Sequence, residues 1–147
     1  MIIREEIPDE ALYADFRREA GWDVPSPERC RKALSRTLCA LVAYDGDTPV
    51  AMARLVGDGA VVIYLQDVVV RQSHRERGVG TRLVAAIIAL AQRQYPEEAT
   101  FGLLAAAGQD GLYAKFGFVA RPQGHLGPGM LARLGDLVTD PSSRKSR

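Results

Sequence analysis

An apolar strand, a basic glycine turn and a helix succeed one another between Val61 and Gln94, and no other stretch limits the fold as tightly. Val61 to Val70 is apolar except for Tyr64, Gln66 and Asp67, and reads as a strand. The turn is Arg71-Gln72-Ser73-His74-Arg75-Glu76-Arg77-Gly78-Val79-Gly80, and a helix is predicted from Thr81 to about Gln94, stopped by Pro96. Val79, Leu83, Ile87 and Leu90 fall on one face of it, the spacing of a buried stripe. Glycine tolerates the backbone that leaves amide N–H groups bare at a helix start, and such amides bind anions, phosphate above all. Arg71, Arg75, Arg77 and Arg82 crowd the same turn, although the whole chain carries a net charge of only +1. The protein as a whole is therefore no polyanion binder, and no nucleic-acid partner is expected.

Elements on either side are predicted from local signals. Residues 2–7 read as a short strand. Pro8 opens a helix to about Ala20, which Gly21 ends, and Ser26 caps a second one from Pro27 to about Ser35. Leu38–Tyr44 and Val50–Val56 read as strands, with turns at 45–47 and 57–59. Thr100–Ala105 is a further strand, about Gln109–Phe116 a short helix ended by Gly117, and Phe118-Val119-Ala120 and Met130-Leu131-Ala132 are candidate last strands around a glycine-proline loop at 124–129. The order implies an α+β fold: a mixed, mostly antiparallel central sheet with one βαβ crossover and flanking helices. A chain of 147 residues is one domain, assigned to residues 1–138, with a tail at 139–147 that composition reads as disordered.

Other classes find little support. Leu83 stands where a dinucleotide fingerprint needs its third glycine, and Gly80-Thr81-Arg82 fails the P-loop pattern. Cys30 and Cys39 fit neither a CxxC pair nor a zinc spacing, and a reduced pair is expected. His74 and His125 are isolated, so no metal site is expected, and no spacing suggests a covalent nucleophile. Without a membrane-length apolar run or a leader pattern, the expected setting is cytoplasmic, with no membrane partner. The basic end Arg144-Lys145-Ser146-Arg147 reads as solvated.

Val68-Val69-Val70 through Gly80 resembles the acyl-CoA signature of the GNAT superfamily of N-acetyltransferases. Gly111-Leu112-Tyr113-Ala114-Lys115-Phe116-Gly117-Phe118 is similar to that family's LYxKxGF segment, one helix and one strand further on. The two motifs and the order of elements span roughly residues 38–120. The resemblance implies acetyl-CoA as cosubstrate. Backbone groups of Val68, Val69 and Val70 would take its pantetheine arm as an added strand. The segment Arg75, Glu76, Arg77, Gly78, Val79, Gly80 and Thr81 would hold the pyrophosphate, with Arg75 or Arg77 adding charge. One departure is Ala106, where many members carry an asparagine seven residues before the tyrosine.

Read from its residues alone, Tyr113 serves equally as a core aromatic; the resemblance implies a general acid that protonates the departing thiolate. Asp67 interrupts the apolar strand and by alternation shares a face with Leu65 and Val69. Two readings stand for it: a base whose pKa is raised by apolar surroundings, or an acceptor of backbone hydrogen bonds at a strand irregularity. Many family members instead deprotonate the amine through water. Trp22, in the loop after the first helix, and Arg54, Tyr64 and Gln66, on strands near the cofactor, are the candidate substrate residues, with packing or ion pairing the alternative at Trp22 and Arg54. The implied activity is direct transfer of acetyl to a primary amine, a small molecule in the first instance, with the oxyanion held by strand amides near Val68. A protein or peptide acceptor, and a non-catalytic acyl-CoA sensor on the same fold, are the rival readings. An open sheet also leaves edges that a homodimer could cover.

Overall fold

The computed structural model of the chain describes residues 1–143. Strand β1 (Ile2–Glu5) is followed by helices α1 (Glu10–Glu19) and α2 (Pro27–Ser35). A meander of β2 (Cys39–Asp45), β3 (Thr48–Gly57) and β4 (Val62–Val70) comes next, then α3 (Val79–Gln94), β5 (Thr100–Leu103) and the short α4 (Asp110–Ala114). The five strands lie in sequence order in one sheet. β1 to β4 pair antiparallel, and the crossover through α3 makes β5 parallel to β4. This is the mixed α+β architecture that the order of elements implied.

Local chemistry accounts for the boundaries. α1 starts after Asp9 rather than at Pro8, because the Asp9 carboxylate accepts from the Leu12 amide at 2.8 Å and caps the first turn. Ser26 caps α2 through the Arg29 amide at 3.3 Å, with Pro27 at the first helical position. The β3–β4 hairpin turns at Gly57, whose φ is +138°. A Cβ there would lie 2.2 Å from the Val62 carbonyl oxygen, so only glycine fits. Asp58 completes the turn by accepting from the amides of Ala60, Val61 and Val62.

Each face of the sheet buries its own core. α3 packs Val79, Leu83, Val84, Ile87 and Leu90 against Leu41, Ala51, Leu55, Ile63 and Leu65 on one face. On the other, Tyr13 and Phe16 of α1 and Cys30 and Leu34 of α2 meet Val42, Met52 and Val69. Cys30 and Cys39 are free and buried, and they belong to different cores.

Two expected strands are absent. Phe118–Ala120 and Met130–Ala132 join no sheet; among the described residues the C-terminal segment makes only an isolated bridge between Gln123 and Leu126. Gly117 takes φ +94° and turns the chain away, and Pro122 and Pro128 remove ladder donors. Met130, Leu131 and Leu134 are exposed. Pro141–Ser143 form a 3-10 turn, whereas the basic end expected to be solvated, 144–147, lies outside the described residues.

Candidate active site

The site arises where two parallel strands part. β4 and β5 pair only from Val62–Thr100 to Leu65–Leu103. Beyond Leu65 an extra residue enters β4. Arg54 opposes Gln66 and Leu55 opposes Leu65, but Met52 opposes Val69 and Ala51 opposes Val70, so Ala53 faces two residues. The extra residue is Asp67, in the left-handed region at φ +53°, which aspartate tolerates better than most residues. The bulge bends β4 away from β5 and opens a cleft of about 690 Å³ through the sheet.

On the α3 side the cleft is lined by the turn predicted to bind anions. Gly78 takes φ +73° at the N-cap of α3, and no side chain caps that helix. The first-turn amides are thus left for an outside acceptor, with the positive end of the helix dipole behind them. The Arg71 amide bonds the Val50 carbonyl across β3, so the amide and carbonyl of Val70, one residue earlier, point the other way, into the cleft. Arg75 lines the cleft and its Nε donates to the Val70 carbonyl at 3.0 Å, whereas Arg77 does not line it. Arg71 turns elsewhere: it bonds Asp15 at 2.7 Å, Glu19 and the Pro49 carbonyl, tying α1 to the end of β4.

Tyr113 closes the same side from α4. Its ring is buried and meets Phe118 edge to face at 6.1 Å. Among the described residues its hydroxyl has no hydrogen-bond partner, yet no buried polar atom lacks one; the hydroxyl therefore reaches the open cleft that Tyr113 lines. Burial pushes its phenol above the ordinary value, so the group remains a proton donor at neutral pH.

The opposite side of the cleft belongs to α1 and the loop after it. Because of the bulge, Asp67 does not share a face with Leu65: it points with Gln66 toward α1, while Leu65 packs under α3. Nor is it an unencumbered base. Oδ1 accepts from Arg17 Nη1 at 2.8 Å and Gln66 Nε2 at 3.1 Å; Oδ2 accepts from Arg54 Nε at 2.6 Å and the Tyr13 hydroxyl at 2.8 Å. The strand irregularity proposed for it exists, but side chains rather than backbone amides supply its donors. Arg54 is buried, bonds Thr37 at 3.1 Å and Tyr13 at 3.4 Å through its other nitrogens and does not line the cleft, so it is not placed to meet a substrate carboxylate.

Of the candidate substrate residues, Trp22 and Gln66 line the cleft, and Arg54 and Tyr64 do not. The Tyr64 ring lies 3.6 Å from where a Cβ on Gly102 would stand. Val68, Val69, Val70, Glu76, Val79, Gly80 and Thr81 all line the cleft, Val69 with its side chain committed to the α1 core. Sequence reasoning missed Arg17, which follows Tyr13 by one helical turn and comes to the cleft beside Trp22, 5.5 Å from its ring.

Comparison with known proteins agrees with this geometry. The sequence profile of the acetyltransferase (GNAT) domain matches residues 36–120, more than half of the chain. A Staphylococcus aureus protein of unknown function, designated a probable acetyltransferase, superposes with a TM-score of 0.79 at 28% identity, over 90% of this chain and 98% of its own. A GNAT-family acetyltransferase from Streptococcus pneumoniae gives 0.69 at 27% identity, over 81% and 87%. An aminoglycoside 6′-N-acetyltransferase solved with coenzyme A shares the fold, with a TM-score of 0.53 at 22% identity over 64% of this chain and 57% of that one. No curated protein sequence matches the chain. Among the described residues no helix is long and apolar enough to cross a membrane. With its own profile matched across both motifs and a cleft opened by the bulge in β4, the chain belongs to the GNAT acetyltransferase family.

Proposed function

We propose that this protein transfers the acetyl group of acetyl-CoA to the primary amine of a small molecule by direct attack in a ternary complex. The observation that carries the reading is the cleft itself: one opening joins an uncapped, positive helix start to a phenol hydroxyl that has no partner among the described residues. The residues fit the cosubstrate. A Cβ on Gly80 would sit 3.7 Å from Val70 and 3.9 Å from Leu112, inside the cradle, so the glycine keeps the floor open beside the bare amides. Bound acetyl-CoA supplies the activated acetyl group as a thioester.

The amides of Gly78 to Thr81, with Arg75 at the rim, hold the pyrophosphate. Of the two arginines considered for this role, Arg75 is favoured because it lines the cleft and Arg77 does not. The inward-facing backbone of Val68 and Val70 orients the pantetheine arm, replacing the strand contacts that β5 gives up. Tyr113 donates its proton to the departing thiolate. Asp67 is a positioning residue that holds Arg17, Gln66 and Tyr13 in place. Proton removal from the acceptor ammonium falls to solvent in the cleft.

Release of free thiol from acetyl-CoA, measured against amines, amino acids and peptides, tests the reading. Amine-dependent release is expected, and Tyr113→Phe should lower kcat by about ten- to a thousand-fold while the KM for acetyl-CoA changes little. Unchanged turnover in that variant would remove the acid role. Flat traces with acetyl-CoA binding confirmed by calorimetry would make the protein a sensor.

A further inference from the structure

The charge that lines the α1 side of the cleft bears on the acceptor. On the α1 side Arg17 and Asp67 are the charged side chains that line it. Both oxygens of Asp67 are occupied, each by two donors. Arg17 is less fully engaged. Its Nη1 serves Asp67 at 2.8 Å and Tyr13 at 3.4 Å, and its Nε serves the Asp23 carbonyl at 2.8 Å, while Nη2 has no partner among the described residues. The Arg17 side chain is only 18% exposed, and the rings of Tyr13 and Trp22 lie 5.7 and 5.5 Å from its guanidinium carbon. It is held, oriented, and left with two N–H donors.

Behind it, Arg54 is buried on the same carboxylate. Two guanidinium groups against one carboxylate leave this wall with a net charge of +1. Tyr13 does not offset it, since burial and the Asp67 charge raise its pKa and keep it neutral. The Asp23 carboxylate lies outside the cleft and pairs with Arg133 at 2.5 Å, and Glu76 lines the cleft from the glycine turn, on the opposite wall beside the start of α3. At this α1 wall a polyamine or other polycation would meet positive charge and, among the described residues, one lining carboxylate, Asp67, whose oxygens are already filled. An anionic group would meet a preorganised donor at the mouth of a half-buried site, where a charge-assisted hydrogen bond is strong.

We propose that the acceptor is a small amine that also bears a carboxylate, of the α-amino-acid class, and that Arg17 Nη2 receives that carboxylate. The proposal rests on the transferase reading above and narrows it. Arg17 then determines specificity, and the amine is presented across the cleft toward Tyr113.

The test compares acceptors in matched sets: a series of L-amino acids, the corresponding amino-acid amides, and spermidine, each assayed by thiol release from acetyl-CoA. Wild-type kcat/KM is expected to favour the best acid over its amide by roughly ten- to a hundred-fold, the range for a hydrogen bond to a charged group. Arg17→Gln, checked for folding by circular dichroism, should bring that ratio close to one through the acceptor KM and leave the KM for acetyl-CoA unchanged. Arg17→Lys should restore part of the preference. Equal or better use of amides or spermidine by the wild-type protein overturns the carboxylate assignment and leaves the transferase standing, and that comparison needs no variant to fold. A preference that survives Arg17→Gln overturns the role of Arg17. Silence with every amine overturns both this assignment and the reading beneath it.

Discussion

Asp67 shows how much one residue can redirect. Period-two alternation places it on the face of Leu65, as a carboxylate in apolar surroundings. At φ +53° it adds one residue to β4, and the side chains after it change faces. Its carboxylate then meets Arg17 and Arg54, which stand 50 and 13 positions away in the chain. No local pattern announces those partners, and this is why the sequence left a base and a hydrogen-bond acceptor both open at Asp67. Removing the charge of a buried, doubly paired carboxylate strands two guanidinium groups. Asp67→Asn is therefore expected to destabilise the fold by about 3–5 kcal/mol in urea titration. Its residual activity should keep the acidic limb of the pH–rate profile; loss of that limb would return Asp67 to the role of base. Tyr113 is the opposite case: the segment around it is local, and the position was legible in sequence. That its hydroxyl lacks a partner among the described residues was not, since this depends on everything that does not reach it.

At the scale of elements, the glycine turn and α3 were the most readable part of the chain. Their signals, an apolar stripe at helical spacing and glycines at the helix start, are contained within a few turns. Two glycines there and in the β3–β4 hairpin separate kinds of constraint. A Cβ on Gly78 would meet nothing within 4 Å, so substitution strains only the φ of +73°. Gly78→Ala should lower stability by about 1–2 kcal/mol and raise the KM for acetyl-CoA by disturbing the amides it presents. Gly57→Ala, whose Cβ would collide with the Val62 carbonyl oxygen, should cost distinctly more in thermal melts and leave that KM alone, because the hairpin is remote from the cleft. Equal losses in the two variants would contradict this division. The C-terminal strands were misread for a related reason: Phe118–Ala120 and Met130–Ala132 have strand-like composition, but a strand exists only where a partner edge accepts it.

For the whole molecule, the five tyrosines act together. Burial raises the phenols of Tyr13, Tyr64, Tyr95 and Tyr113, Tyr95 to about 12, and the hydrogen bond to Glu6 raises that of Tyr44. The unfolded chain loses these protons near pH 10, where the folded one retains them, so stability falls as pH rises. The Tm is expected to be flat up to about pH 10 and to decline from there toward about pH 12; no decline would show that the phenols ionise equally in both states. The segment after Ala120 stands outside both cores, and its ion pair from Arg133 to Asp23 is exposed. Its removal should shift the Tm by less than about 4 °C in differential scanning calorimetry. The sequence by itself determined the sheet class, the glycine turn and the tyrosine segment, because each is written in neighbouring residues whose spacing dictates local backbone and face. Only the tertiary structure decided which face Asp67 takes, which arginines neutralise it, and that Arg17 keeps donors for the cleft. Those outcomes depend on a single left-handed residue and on side chains brought together from α1, β3 and β4.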